Sequence, residues 1–146
     1  MPSSANEIND RFLIKLSGEA FAAGDRGVDA TALDFVGGEL LLAWPERPRF
    51  PVVVEGGNFY RGRSATPGAI NRLHAAYVGM LATVMTGIIL QQRSQSQGLA
   101  SAVLSAFPVG PMCNSYSPAD VNPLLDSGSL VILAGATGCP FFITDT

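Results

Sequence analysis

A chain of 146 residues has room for one domain, burying roughly 68–70% of the surface that its unfolded form exposes. Hydrophobic residues make up 47% and charged ones 14%, with 16 glycines and 10 prolines, which excludes a mainly disordered chain and points to a compact fold with tight turns. The net charge of -3, with arginines scattered along the chain, excludes a basic nucleic-acid-binding face, and two distant cysteines, Cys113 and Cys139, indicate neither a disulfide framework nor a zinc site.

Residues 1–10 read as a polar tail, without the apolar stretch of a signal peptide, which sets the expectation of a reducing, cytoplasmic setting. Residues 11–146 then alternate apolar strand-like runs with longer helical stretches, the pattern of an α/β fold whose mostly parallel sheet is sandwiched by helices. Parallel strands covered on both faces read as continuous apolar runs. Arg11 to Leu16 is the first, and it carries Lys15, the only lysine of the chain. Asp29 can cap a helix running to about Trp44, with Leu33, Val36, Leu40 and Leu41 at helical spacing, until Pro45 and Pro48 stop it. Pro51 to Val54 is a second strand. A second helix spans about Ala69 to Gln92, with Gly79 as a candidate break. Its stretch from Leu73 to Gln92 has no acidic or lysine/arginine side chain, but His74, Tyr77, Thr83 and Thr86 favour a core or subunit-contact helix over a membrane span. Ala102 to Phe107 is a weaker strand, Ser117-Pro118 opens a short helix ending near Asp126, and Leu130 to Ala134 is the strongest late strand.

Three strand exits carry the candidate chemistry. In Ile14-Lys15-Leu16-Ser17-Gly18-Glu19, glycine lets backbone N–H groups approach an anion while Lys15 supplies a compact positive charge; the alternative is an edge lysine whose stem covers apolar surface. In Val54-Glu55-Gly56-Gly57-Asn58-Phe59-Tyr60-Arg61-Gly62, paired glycines expose donors and Arg61 offers its fork of N–H groups to a phosphate. Exits of parallel strands share one edge, where open α/β sheets bind ligands, so the two can converge on one polyphosphate; the alternative is two ordinary turns. In Gly135-Ala136-Thr137-Gly138-Cys139-Pro140-Phe141-Phe142-Ile143-Thr144-Asp145, small and hydroxyl residues can line a base or sugar, and Asp145 can orient Lys15 or a metal-bound phosphate; a surface turn with an aromatic anchor is the alternative.

All three segments, in this order and near these separations, resemble the bacterial uridylate (UMP) kinases of the amino acid kinase superfamily. Val28-Asp29-Ala30, Asn71-Arg72, Gly79-Met80-Leu81-Ala82-Thr83-Val84-Met85 and Cys113-Asn114-Ser115-Tyr116-Ser117 extend the resemblance over about Arg11 to Asp145. It implies an amino acid kinase-like fold in which residues 11–146 form the nucleoside-monophosphate-binding part. It further implies that Lys15, Ser17, Gly18, Gly57 and Arg61 face the ATP phosphates and that Gly56, Thr137, Gly138, Phe141 and Thr144 border UMP. Lys15, Arg61 and Asp145 become the implied catalytic residues. The implied reaction moves the γ-phosphoryl group of ATP, with Mg²⁺, to UMP, a step in which positioning and charge neutralisation dominate. Implied partners are UMP and ATP, GTP or UTP as effectors near Gly24 to Asp29, and a homo-oligomer or full-length kinase subunits meeting the Gly79 to Gly87 helix; neither nucleic acid nor membrane is implied.

The sequence departs from that pattern at four places. Glu55 stands where the family usually has a third glycine, Ala76 where an acidic residue holds the ribose, and Cys139 where an asparagine stands. The sequence stops at Thr146, before the adenine site and the C-terminal part of such a fold. A catalytically inactive nucleotide-binding or regulatory subunit that assembles with complete kinases is therefore the second expectation.

Overall fold

The computed structural model describes residues 12–24, 27–44, 50–60 and 68–142. Five strands, β1 (Ile14–Leu16), β2 (Val52–Val54), β3 (Ser101–Ser105), β4 (Asn114–Ser115) and β5 (Leu130–Ala134), alternate with helices α1 (Ala30–Ala43), α2 (Arg72–Ser96) and α3 (Pro118–Asp126). Each hydrogen-bonded pair is parallel, in the order β1-β2-β5-β3-β4. The strongest apolar run therefore takes the central place. Leu130, Val131 and Ile132 are all fully buried, which requires cover on both faces.

Local chemistry accounts for the helices. Asp29 caps α1 by accepting the Ala32 N–H at 2.9 Å, and Val36, Leu40 and Trp44 turn its inner side toward the sheet. Trp44 then donates its indole N–H to Gly128 O at 2.8 Å, fastening the end of α1 to the start of β5. Asn71 caps α2 through the His74 N–H at 2.9 Å, and Ser117 with Pro118 opens α3 as the spacing predicts.

The expected break at Gly79 does not occur: α2 is one helix of 25 residues. A lone glycine costs a helix about 1 kcal/mol, and the buried neighbours Met80, Ala82, Val84 and Leu90 outweigh it. The helix also runs past Gln92, because its polar end is tethered: Gln91 and Gln95 donate side-chain amide protons to Ser101 O at 3.1 and 3.2 Å, and Arg93 stands 2.7 Å from Asp34 of α1. The first strand is shorter than expected, with Phe12 and Leu13 outside it, and polar, two-residue β4 was not foreseen.

Helices α1 and α2 pack on each other, α2 lying across β3 and β5, while α3 touches β5. From β4 the chain turns back toward the centre, so the right-handed crossover rule sets α3 on the opposite face. Among the described residues α2 is long and apolar enough to cross a bilayer by length and composition; 44% of its apolar window is buried, on the side that packs against β3 and β5.

Candidate active site

Parallel pairing brings the strand exits to one edge. Lys15 is in register with Val53, and Glu55 follows two residues on, so both charged side chains rise from the face opposite Val52 and Val54. Lys15 Nζ lies 2.6 Å from Glu55 Oε1, in an ion pair that solvent reaches. Beyond β1, Ser17 accepts the Glu19 N–H at 3.4 Å and starts a 3-10 turn, Gly18–Phe21, anchored by the fully buried Phe21.

The first and second exits touch. A Cβ on Gly18 would stand 2.6 Å from the Gly57 N and 2.8 Å from the Asn58 N, so only glycine permits the approach. Gly56 is pressed in turn on α2, where a Cβ would lie 2.6 Å from Ala82 Cβ and 2.7 Å from Thr83 N. Gly56 O accepts the N–H groups of Phe59 and Tyr60, both at 3.0 Å, closing a turn that exposes Gly57 in part and buries Asn58. Asn58 O accepts from Gly27 N–H at 2.6 Å, and Asn58 Oδ1 lies 3.1 Å from the Thr86 hydroxyl. That hydroxyl also reaches Ala82 O at 3.1 Å and, with one proton, serves one acceptor at a time.

The third exit joins the same helix. Gly135 donates its N–H to Thr83 Oγ1 at 2.7 Å, and Thr83 passes its own proton to Met80 O at 2.7 Å. The loop is wound with positive φ at Gly135 (86°), Ala136 (52°), Gly138 (75°) and Phe141 (72°). Two of these four are not glycine, and such conformations concentrate at ligand-binding loops. Thr137 is exposed, Gly138 packs where a Cβ would meet Ala106 O at 2.7 Å, and the exposed Phe141 lies under the Arg72 guanidinium, 5.2 Å from ring centroid.

Of the residues expected from sequence, Lys15, Gly18, Gly56 and Gly57 therefore meet at the exits of β1 and β2. Ser17 stands exposed beside them, and Thr137 and Gly138 follow one strand further along the edge. Phe141 is set apart, against the start of α2. Arg61, Thr144 and Asp145 lie outside the described residues. Ala76 is buried and offers no side-chain acceptor, Cys139 is exposed, and burial raises the thiol pKa of Cys113, which disfavours its thiolate. Sequence reasoning missed Asn58, Thr83 and Thr86, the buried polar groups that hold the exits together. For the two threonines the signal is a pair of hydroxyls at i and i+3 within an apolar stretch of α2.

Chemically, this edge combines glycine turns, their N–H groups and one ammonium, a set that suits phosphate. No protein-family model matches the chain. The uridylate kinase of Bifidobacterium adolescentis is 38% identical over 136 residues, covering 93% of this chain and 55% of that protein. That of Escherichia coli K12 is 36% identical over 147 aligned positions, covering all of this chain and 61% of the relative. Among solved structures, the UMP kinase of Bacillus anthracis superposes with a TM-score of 0.84 at 30% identity, over 92% of this chain and 56% of that one. The chain is thus similar to uridylate kinases along nearly all of its own length, and it spans 55 to 61% of the length of these relatives.

Proposed function

We propose that the chain binds UMP and the phosphates of ATP as the acceptor-nucleotide part of a UMP kinase, which phosphorylates UMP to UDP in pyrimidine nucleotide synthesis in the cytoplasm. The observation that carries this is that the second and third strand exits converge on residues 82–86 of α2 while the first packs on the second, in a chain that resembles uridylate kinases along its whole length. Lys15, Ser17, Gly18, Gly57 and Arg61 hold the transferring phosphates, and Gly56, Thr137, Gly138, Phe141 and Thr144 border UMP. In this assignment Gly56 acts through its backbone, because its Cα is committed to α2. Lys15, Arg61 and Asp145 make up the catalytic set, stabilising charge that develops on the moving phosphoryl group. In this reading Mg²⁺ would arrive on the nucleotide phosphates. The cation supplies charge neutralisation there; the chain orients the phosphates around it.

A second role has its own observation. Tyr77, Val78, Leu81 and Met85 form an exposed apolar stripe on α2, at helical spacing. It fits a subunit contact, either between copies of this chain or with complete kinase subunits, in which case the chain binds nucleotide and makes no UDP itself. Isothermal calorimetry with UMP, alongside a UDP-forming assay with Mg-ATP, tests both. Saturable UMP binding that weakens about tenfold or more in Arg61→Ala, a loss usual for a charge-assisted phosphate contact, supports the acceptor site. UDP formation assigns the chain the first role, and binding without turnover the second. No detectable heat with any nucleotide contradicts both.

A further inference from the structure

We propose that Glu55 is an internal stand-in for ligand phosphate: its carboxylate holds Lys15 in the free chain, and a phosphorylated ligand binds by taking that lysine from it. This inference rests on the phosphate site proposed above and gives that site a control on ligand charge. Lys15 Nζ and Glu55 Oε1 are 2.6 Å apart, a charge-assisted contact of the kind a phosphate oxygen would make. The pair is set by the sheet itself, since Lys15 faces Val53 across the ladder and Glu55 lies two residues beyond on the same face. The main chain at Glu55 cannot withdraw. Its N–H is bonded to Leu16 O at 3.1 Å, and the next residue, Gly56, is wedged on Ala82 and Thr83.

With the main chain fixed, the pair separates by rotation of the Glu55 or Lys15 side chain. The side chains are 45% and 27% exposed, so water can receive the displaced carboxylate, and a pair this open is weakly held. After displacement the carboxylate still hangs from the rim of the site and repels whatever anion Lys15 holds. The site therefore discriminates by charge, penalising free polyphosphate more than a phosphate of lower net charge.

The sole lysine of the chain gives a single side-chain NMR signal, which follows binding without ambiguity. Inorganic pyrophosphate is titrated into the wild-type chain, Glu55→Gln and Glu55→Gly, each checked for folding by circular dichroism. Pyrophosphate is expected to bind roughly 5- to 30-fold more tightly once the carboxylate is gone, the scale of a rim ion pair plus like-charge repulsion. Equal or weaker binding by whichever Glu55 variants fold overturns the proposal while leaving the phosphate site standing. A lysine signal that moves in none of the chains contradicts the phosphate site, and the masking with it. The wild-type chain gives an independent arm: the Glu55 carboxyl carbon must shift with the same midpoint as the lysine. A carboxyl signal that stays fixed while the lysine moves rules out exchange.

Discussion

One residue on α2, Thr83, meets two strand exits at once. Thr83 accepts the Gly135 N–H and donates to Met80 O, both at 2.7 Å, while its backbone abuts Gly56. Thr83→Val keeps the shape but leaves the buried Gly135 N–H without an acceptor, which costs about 1–3 kcal/mol. Urea unfolding is expected to show that loss, and Thr83→Ser to recover most of it; a valine variant as stable as the wild-type chain would mean that the bond carries nothing. At this scale the sequence was legible wherever a residue's own chemistry decides its place. Asp29 and Ser117 cap the helices that their spacing predicts. It was illegible where the partner is remote: Thr83 and Gly135 are 52 residues apart, and nothing in the helix pattern names the acceptor for that N–H. The left-handed turns at Ala136 and Phe141 were hidden for a related reason, since residues other than glycine enter them only when surrounding packing imposes the conformation.

Helix α2 shows how tertiary packing overrides a local signal. Gly79 marks a weak point by propensity, yet the helix runs straight through it because burial on the sheet and the tethers at its polar end decide its length. The same helix carries two faces with different tasks. Its inner face holds Ala82, Thr83 and Thr86 against the exits, and its outer stripe of Tyr77, Val78, Leu81 and Met85 faces solvent in the isolated chain. Leu81→Glu is expected to change folding stability by less than about 0.5 kcal/mol, the usual range for a surface position, while abolishing self-association in sedimentation velocity. A variant that associates like the wild-type chain would remove the stripe from the subunit contact.

For the whole molecule, the parallel sheet made the location of the site legible before any side-chain contact was known. Every strand must return to the same edge, so motifs at the ends of β1, β2 and β5 share it. Adjacency was not legible. The order β1-β2-β5-β3-β4 places the third motif beside the second although nearly 80 residues separate them in sequence, because α2 carries the chain past an empty central place that β5 later fills. The account thus stands on one spatial claim, that UMP and the phosphates of ATP are bound at this edge by the three exits together. An amide chemical-shift map of the ¹⁵N-labelled chain during titration with UMP and Mg-ATP measures it directly. The account predicts saturable shifts at Ser17, Gly18, Gly57, Asn58 and Gly135 to Gly138, with little change at the opposite edge around Ser101 and Leu130; shifts centred there, or none at the three exits, would contradict it.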